Sequence, residues 1–331
     1  MRILVIGAVE GGSVPMGRSI CQGFIREGQQ AQWLDFSPLQ PEYARLRDSR
    51  NSDQIQTFVM GLVQRVAREA MSFQPEVILG MAQSPLNNVK LLGALKRAGI
   101  RLCYWLVEDF SVFTYWKDTA AHFDHYFVIQ KEPLLEQLKA AGCRNAHYLP
   151  VAFDDQAPAT PVPTEPAIPV SFVGAPYPNR VRFLSEMAGP DVRIFGEGWS
   201  RHPNPSVAVG DRRLSEEECR VVYSRSKVNL NLHSSVDPEG FGQGDFVNPR
   251  TFDIAGLGQF QIVDQRQLLP LHFDVKSEVP AFPTWTAFKD AAKYFLRHED
   301  ERKAIAANSR RRVLAEHTYA HRAREILNVL G

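Results

Sequence analysis

Between Ser234 and Gly258 the chain reads SSVDPEGFGQGDFVNPRTFDIAGLG, and here the residue types best suited to chemistry are gathered. An apolar strand, Lys227 to Leu232, ends in His233 and runs into a loop rich in glycine and serine. Asn248 followed by Pro249 reads as a helix start, because asparagine caps the first unpaired N–H groups and proline fits the first helical position. The opening turn of such a helix carries positive dipole, so it suits a phosphate or a carboxylate. Arg250 adds a full charge there, with Thr251 beside it as a further candidate binding residue. Asp253 lies about one turn further in, eight positions after Asp245. A carboxylate in that place can accept from two vicinal hydroxyls, as a ribose offers them. A plainer reading stays open, in which Asn248 and Pro249 only start a helix and Asp253 only favours its dipole.

Two more strand ends have a similar character. In FVGAPYPNR a strand stops at Gly174, and a short loop delivers Asn179 and Arg180 to the next helix. The planar fork of an arginine at a βα junction pairs bidentately with phosphate oxygens. In IFGEGW the strand ends at Gly196, and Gly210-Asp211 follows later; backbone exposed by glycine serves a nucleobase edge or a plain turn equally well. Glu108 and Asp109 end an earlier strand, where either carboxylate is placed to act as a general base on a hydroxyl or only to start a solvated loop. The aromatics Phe110, Phe113, Tyr115 and Trp116 follow at once, and they suit a sugar face or a core.

Some signals are missing. The loop Gly7 to Gly12 lacks the G-x-G-x-x-G order of a dinucleotide fingerprint, which leaves Gly11 and Gly12 as candidate positions in a βα loop at a cleft edge. There is no Walker A sequence and no Asp-x-Asp pair, so metal-bridged diphosphate binding is not indicated.

These residues need a scaffold, and the sequence supplies one. Short apolar runs, Ile3 to Ile6, Glu76 to Leu79, Arg101 to Val107 and Asp124 to Ile129, alternate with amphipathic stretches such as Gln56 to Ser72 and Asn87 to Ala98. That alternation predicts a doubly wound parallel sheet. Five prolines between Asp154 and Pro169 break the pattern and read as a semi-rigid linker. The alternation then restarts at Val170 and ends in long helices, Trp285 to His298 and Asp300 to Leu330. The expectation is an α/β protein of two Rossmann-like domains. The first covers residues 1–153, the linker 154–169, and the second 170–331 with its terminal helices.

Composition narrows the function. The 331 residues carry 38 Lys+Arg and 37 Asp+Glu, a net charge of +1, which offers no global footprint for nucleic acid. No apolar run approaches the roughly 20 residues of a membrane span, and the N-terminus does not read as a signal peptide. Four scattered cysteines without a C-x-x-C pair read as reduced thiols of a cytoplasmic protein. Homo-oligomerisation is left open.

As an ordered set, SFVGAPYPNR, IFGEGW, YSRSKVNLNLH, NPRTFDIAGLGQFQIVDQR and EHTYAHR resemble the CgeB-like (spore-maturation protein) family of glycosyltransferases, with YWLVEDF, FDHYFVIQK and GCRNAHYLPVAFD as looser matches in the N-terminal half. The resemblance implies a GT-B fold, two Rossmann-like domains facing across a cleft. It also implies transfer of a sugar from a nucleotide-diphospho-sugar, UDP-type, to an unidentified acceptor without a bound metal or other cofactor. In the wider group of retaining GT-B enzymes two glutamates eight positions apart flank the donor sugar and ribose. Here Asp245 and Asp253 hold those places, each one methylene shorter. A non-catalytic nucleotide-sugar-binding subunit and a nucleotide-sugar epimerase of the same fold are the alternatives.

Overall fold

A computed structural model describes residues 1–157, 167–187, 189, 191–202 and 211–331. The chain divides into two compact units, residues 1–151 with 319–331, and residues 152–318.

The first unit opens with β1 (Arg2–Ile6), α1 (Ser13–Arg26), β2 (Gln30–Leu34), α2 (Gln40–Ser49), α3 (Ser52–Phe73) and β3 (Val77–Met81). It continues with α4 (Val89–Arg97), β4 (Arg101–Leu106), the short α5 (Trp116–Thr119), β5 (His125–Val128), α6 (Leu134–Ala140) and β6 (Ala146–Tyr148). All six strands are parallel, in the order β2-β1-β3-β4-β5-β6. Strands of such a sheet are covered on both faces, which is why β1 reads as an unbroken aliphatic run with Ile3 to Ile6 fully buried. Each such side chain contributes about 1.5–3 kcal/mol by leaving water. The strand order reverses between β1 and β3, and ligands of open α/β sheets bind beyond the strand ends at such a point.

The second unit holds β7 (Ile168–Val173), α7 (Pro178–Ser185), β8 (Val192–Phe195), α8 (Glu216–Arg225), β9 (Ser226–Asn231), α9 (Pro249–Gly256), β10 (Gln261–Asp264), β11 (Ala281–Phe282), α10 (Trp285–Arg297) and α11 (Glu299–Glu316). Its parallel sheet runs β11-β10-β9-β7-β8, with the reversal between β7 and β9. Two Rossmann-like units follow the alternation expected from the sequence. The short, polar α2 and the strands β2 and β11 carry too weak an apolar pattern to be legible.

Two expectations change. The run from Asp300 to Leu330 is not one helix, because it breaks at His317–Thr318 into α11 and α12 (Tyr319–Leu330). The last helix also belongs to the first unit rather than to the C-terminal domain. It packs on α1 so closely that a Cβ on Gly23 would lie 2.5 Å from the Tyr319 carbonyl oxygen. Arg322 Nε donates to the Pro150 carbonyl at 2.8 Å, and Arg324 pairs with Glu27. The expected proline linker falls largely on residues 158–166, outside the described residues. Among the described residues no helix is long and apolar enough to cross a membrane.

Candidate functional site

Beside the β7/β9 reversal, the ends of β7 and β8 come close together through glycine. Gly196 has φ of 146°, and a Cβ there would lie 2.3 Å from the Gly174 carbonyl oxygen. That carbonyl accepts from Trp199 Nε1 at 2.8 Å, and the Gly174 N–H donates to the Phe195 carbonyl at 2.9 Å. A Cβ on Gly174 would also lie 2.9 Å from Arg250 Nη2. Both glycines therefore act by permitting close approach. Gly210, expected beside them, lies outside the described residues.

Arg180 and Arg250 meet over the Phe172 ring, their guanidinium carbons 5.4 and 5.3 Å from its centroid. Arg180 is buried and donates from Nε to the Leu232 carbonyl at 3.0 Å and from Nη1 to the Ala175 carbonyl at 3.2 Å. Arg250 donates from Nη1 to Asn231 Oδ1 at 3.1 Å. Among the described residues neither guanidinium has a carboxylate within ion-pair distance. Burial, and then the charge of Arg250, push the Arg180 pKa down to about 9. Two cations without a carboxylate partner among the described residues, beside a strand-order reversal, are the candidate anion site.

A buried polar network holds this pair in place. Asn248 caps α9 through Oδ1, which accepts from the Thr251 N–H at 3.1 Å, and its Nδ2 donates to Asn231 Oδ1 at 2.8 Å. Asn231 in turn donates to Thr251 Oγ1 at 2.8 Å and to Gln261 Oε1 at 2.9 Å. His233 is fully buried, its Nδ1 is 2.8 Å from Asp264 Oδ1, and its Nε2 accepts from the Asn248 N–H at 3.0 Å. The second contact requires an unprotonated Nε2, so the ring is neutral with its proton on Nδ1. Burial foremost, with Arg266 next, lowers its pKa to about 4. Asp264 is also paired with Arg266, and these two cationic or donor partners hold its carboxyl below the usual range against the cost of burial.

This network corrects several expectations. His233, Asn248 and Thr251 were candidates for touching a ligand, but their polar atoms are spent on one another and on the strands. Asn179 is likewise fully buried: Nδ2 donates to the His233 and Gly240 carbonyls, both at 2.9 Å, and Oδ1 accepts from the Ser235 N–H at 2.9 Å. These four position the loop and helix. Asn231, Gln261, Asp264 and Arg266 were not singled out from the sequence. Their available signal was polar residues at period two, Asn229, Asn231 and His233, along an otherwise apolar strand.

Asp253 is half-buried on α9. Burial, followed by the nearby charges of Glu216 and Asp154, raises its carboxyl to about 7. Asp245 sits in the loop entering α9, where its carbonyl accepts from the Leu268 N–H at 3.1 Å.

In the first unit, Glu108 follows β4 and accepts from Tyr115 Oη at 3.0 Å and from Gln83 Nε2. Burial raises its pKa above the ordinary carboxylate value, with the two donors opposing that shift. Asp109 caps its own turn, since its Oδ1 accepts from the Ser111 N–H at 2.9 Å and from the Ser111 hydroxyl at 2.7 Å. It is a loop-start residue. Gly11 and Gly12 lie in the loop between β1 and α1, and a Cβ on Gly11 would lie 3.6 Å from Gln83 Nε2, the amide that donates to Glu108.

Comparison with known proteins bears on the fold. Residues 179–328 match the family described as "Glycosyl transferase-like". The spore protein CgeB of Bacillus subtilis (strain 168) is 26% identical over 261 residues, covering 74% of this chain and 80% of CgeB. Sucrose-phosphate synthase of Thermosynechococcus elongatus superposes with a TM-score of 0.65 at 11% identity, covering 99% of this chain and 98% of that one. HepE of Anabaena, solved in complex with UDP-glucose, gives a TM-score of 0.62 at 12% identity over 99% of this chain and 98% of its own. By these matches the C-terminal part of the chain is glycosyl transferase-like, most of the chain is similar to CgeB, and the fold is that of the GT-B glycosyltransferases.

Proposed function

We propose that this enzyme moves a sugar from a nucleotide-diphospho-sugar, of UDP type, to a hydroxyl-bearing acceptor without using a metal ion. The observation that carries the reading is the pair Arg180 and Arg250 over Phe172, two cations lacking a carboxylate partner among the described residues. A diphosphate supplies the missing charge, and its departure is the step that such cations favour. Asp253, eight positions after Asp245, is assigned to the ribose hydroxyls, whose donated hydrogen bonds favour its ionised form, the proton passing to solvent. The UDP-glucose complex of the structurally similar HepE supports a uridine donor.

In the reaction the acceptor oxygen bonds to the anomeric carbon. The bond from that carbon to the diphosphate oxygen breaks, and the acceptor's proton passes to a base. Glu108 is assigned that proton, because burial raises its affinity for one while Tyr115 and Gln83 fix its two oxygens. Calorimetric titration with UDP, ADP, GDP and CDP tests the donor assignment, and UDP is expected to bind most tightly. Absence of binding by every nucleoside diphosphate overturns it. Release of free sugar from UDP-sugars by the isolated enzyme separates a working transferase from a silent binding subunit.

A further inference from the structure

Arg250 is held by acceptors that carry no charge. Its Nη1 donates to Asn231 Oδ1 at 3.1 Å, and its guanidinium also donates to the hydroxyl of Tyr223. Arg180 is held in the same way. Its acceptors are the Leu232 and Ala175 carbonyls, and the Phe172 and Tyr177 rings lie 5.4 and 5.3 Å from its guanidinium carbon. A carboxylate in any of these places would orient the guanidinium equally well, but it would also take up the charge that a bound anion needs. An amide, a phenol, a carbonyl and a ring fix the direction and leave the charge in place.

The surroundings of Tyr223 keep its hydroxyl still. Helix α8, which carries it, starts with a capping box in which the Ser215 and Glu218 side chains each accept from the other's backbone N–H. The Tyr223 ring is buried in a small core with Ile168, Val173, Val222 and Ile254. Its carbonyl accepts from Asn229 Nδ2 at 3.2 Å, which ties the end of α8 to β9, the strand that also bears Asn231. Burial pushes the phenol pKa up, against the opposing charge of Arg250, so the hydroxyl stays neutral.

We propose that Tyr223 is a positioning residue for anion binding: together with Asn231 it aims the Arg250 guanidinium at bound phosphates without neutralising it. Calling those phosphates the donor's rests on the transferase reading, whereas the aiming of Arg250 at an anion does not.

The test is Tyr223→Phe in the full chain, which keeps the ring and removes only the oxygen. Calorimetry compares UDP, uridine and inorganic pyrophosphate. UDP and pyrophosphate should bind about fivefold more weakly, and uridine should change by less than about twofold. In an Arg250→Ala background the same substitution should change UDP affinity by less than about twofold, because the residue it positions is gone. A fivefold loss that persists without Arg250, or equal losses for UDP and uridine, would make Tyr223 structural and overturn the proposal. Pyrophosphate affinity indifferent to Tyr223→Phe also overturns it. Tyr223-dependent binding of pyrophosphate with no binding of UDP would sink the donor reading and leave the positioning role standing. Binding of neither anion by the wild type overturns both.

Discussion

Arg180 and Arg250 approach one ring, that of Phe172, from βα junctions 70 residues apart in sequence, and neither has an ion-pair partner among the described residues. Like charges held together repel, and an anion removes the penalty. Arg250→Ala should therefore weaken UDP binding by about 1.5–3 kcal/mol, the range for hydrogen bonds to charged groups. Uridine, without phosphates, should lose far less. Calorimetry on both ligands decides, and equal losses would make Arg250 a structural residue.

Asp253 carries a pH signature. Its folded pKa, about 7, is raised above the ordinary 3.8, so the folded chain pays for ionisation that the unfolded chain does not resist. The wild type should lose stability against Asp253→Asn as the pH rises from about 4 through 7, by about 1–2 kcal/mol once partial exposure is allowed for. Urea midpoints across that window measure it. With UDP the order reverses, because the carboxylate is the better acceptor for ribose hydroxyls. A 2′-deoxy nucleotide should show a penalty in the wild type and little in the mutant.

His233 runs the other way. Its folded pKa, about 4, lies below the ordinary 6.5, so its contribution is complete above pH 6.5 and disappears as the pH falls toward 4. His233→Asn, which leaves the Asn248 N–H without its acceptor, should cost about 1–3 kcal/mol at pH 7.5. The gap between the two proteins should narrow toward pH 4, and a constant gap would mean that His233 does not titrate on unfolding.

Gly196→Ala places a methyl against the Gly174 carbonyl and holds alanine at a φ that L-residues avoid. A destabilisation of about 1–3 kcal/mol is expected. The Trp199 indole, bonded to that same carbonyl, should report the shift in its fluorescence. An unchanged midpoint and spectrum would show that the strand ends can separate freely.

Chelation tests the chemistry. With the arginine pair neutralising the leaving diphosphate, sugar transfer should survive EDTA. Loss of activity restored by manganese would replace Arg180 and Arg250 with a metal as the agent of departure.

Legibility followed the range of the interactions. The start of α9 was readable because the cap and the proline act within one turn, Asn248 on Thr251. Parallel strands were readable because burial on both faces demands continuous apolar runs, as in β1. The roles of Asn179 and His233 were not, because their partners lie 54 and 31 residues away and an asparagine or histidine at a loop looks the same whether spent or free. The docking of α12 was hidden for the same reason: its helical pattern is plain, but the notch that receives it is Gly23, some three hundred residues earlier.

That notch has a consequence for biogenesis. Residues 1–151 are made before residues 319–330, so helix α1 lacks its packing partner until those residues follow. The second unit, continuous from 152 to 318, can close on itself earlier. Domains ordinarily fold as they are synthesised, the N-terminal one leading. Here the first unit is contiguous only after residues 319–330 join it, and until then α1 and the Trp105 face of its sheet lack the cover that α12 gives them.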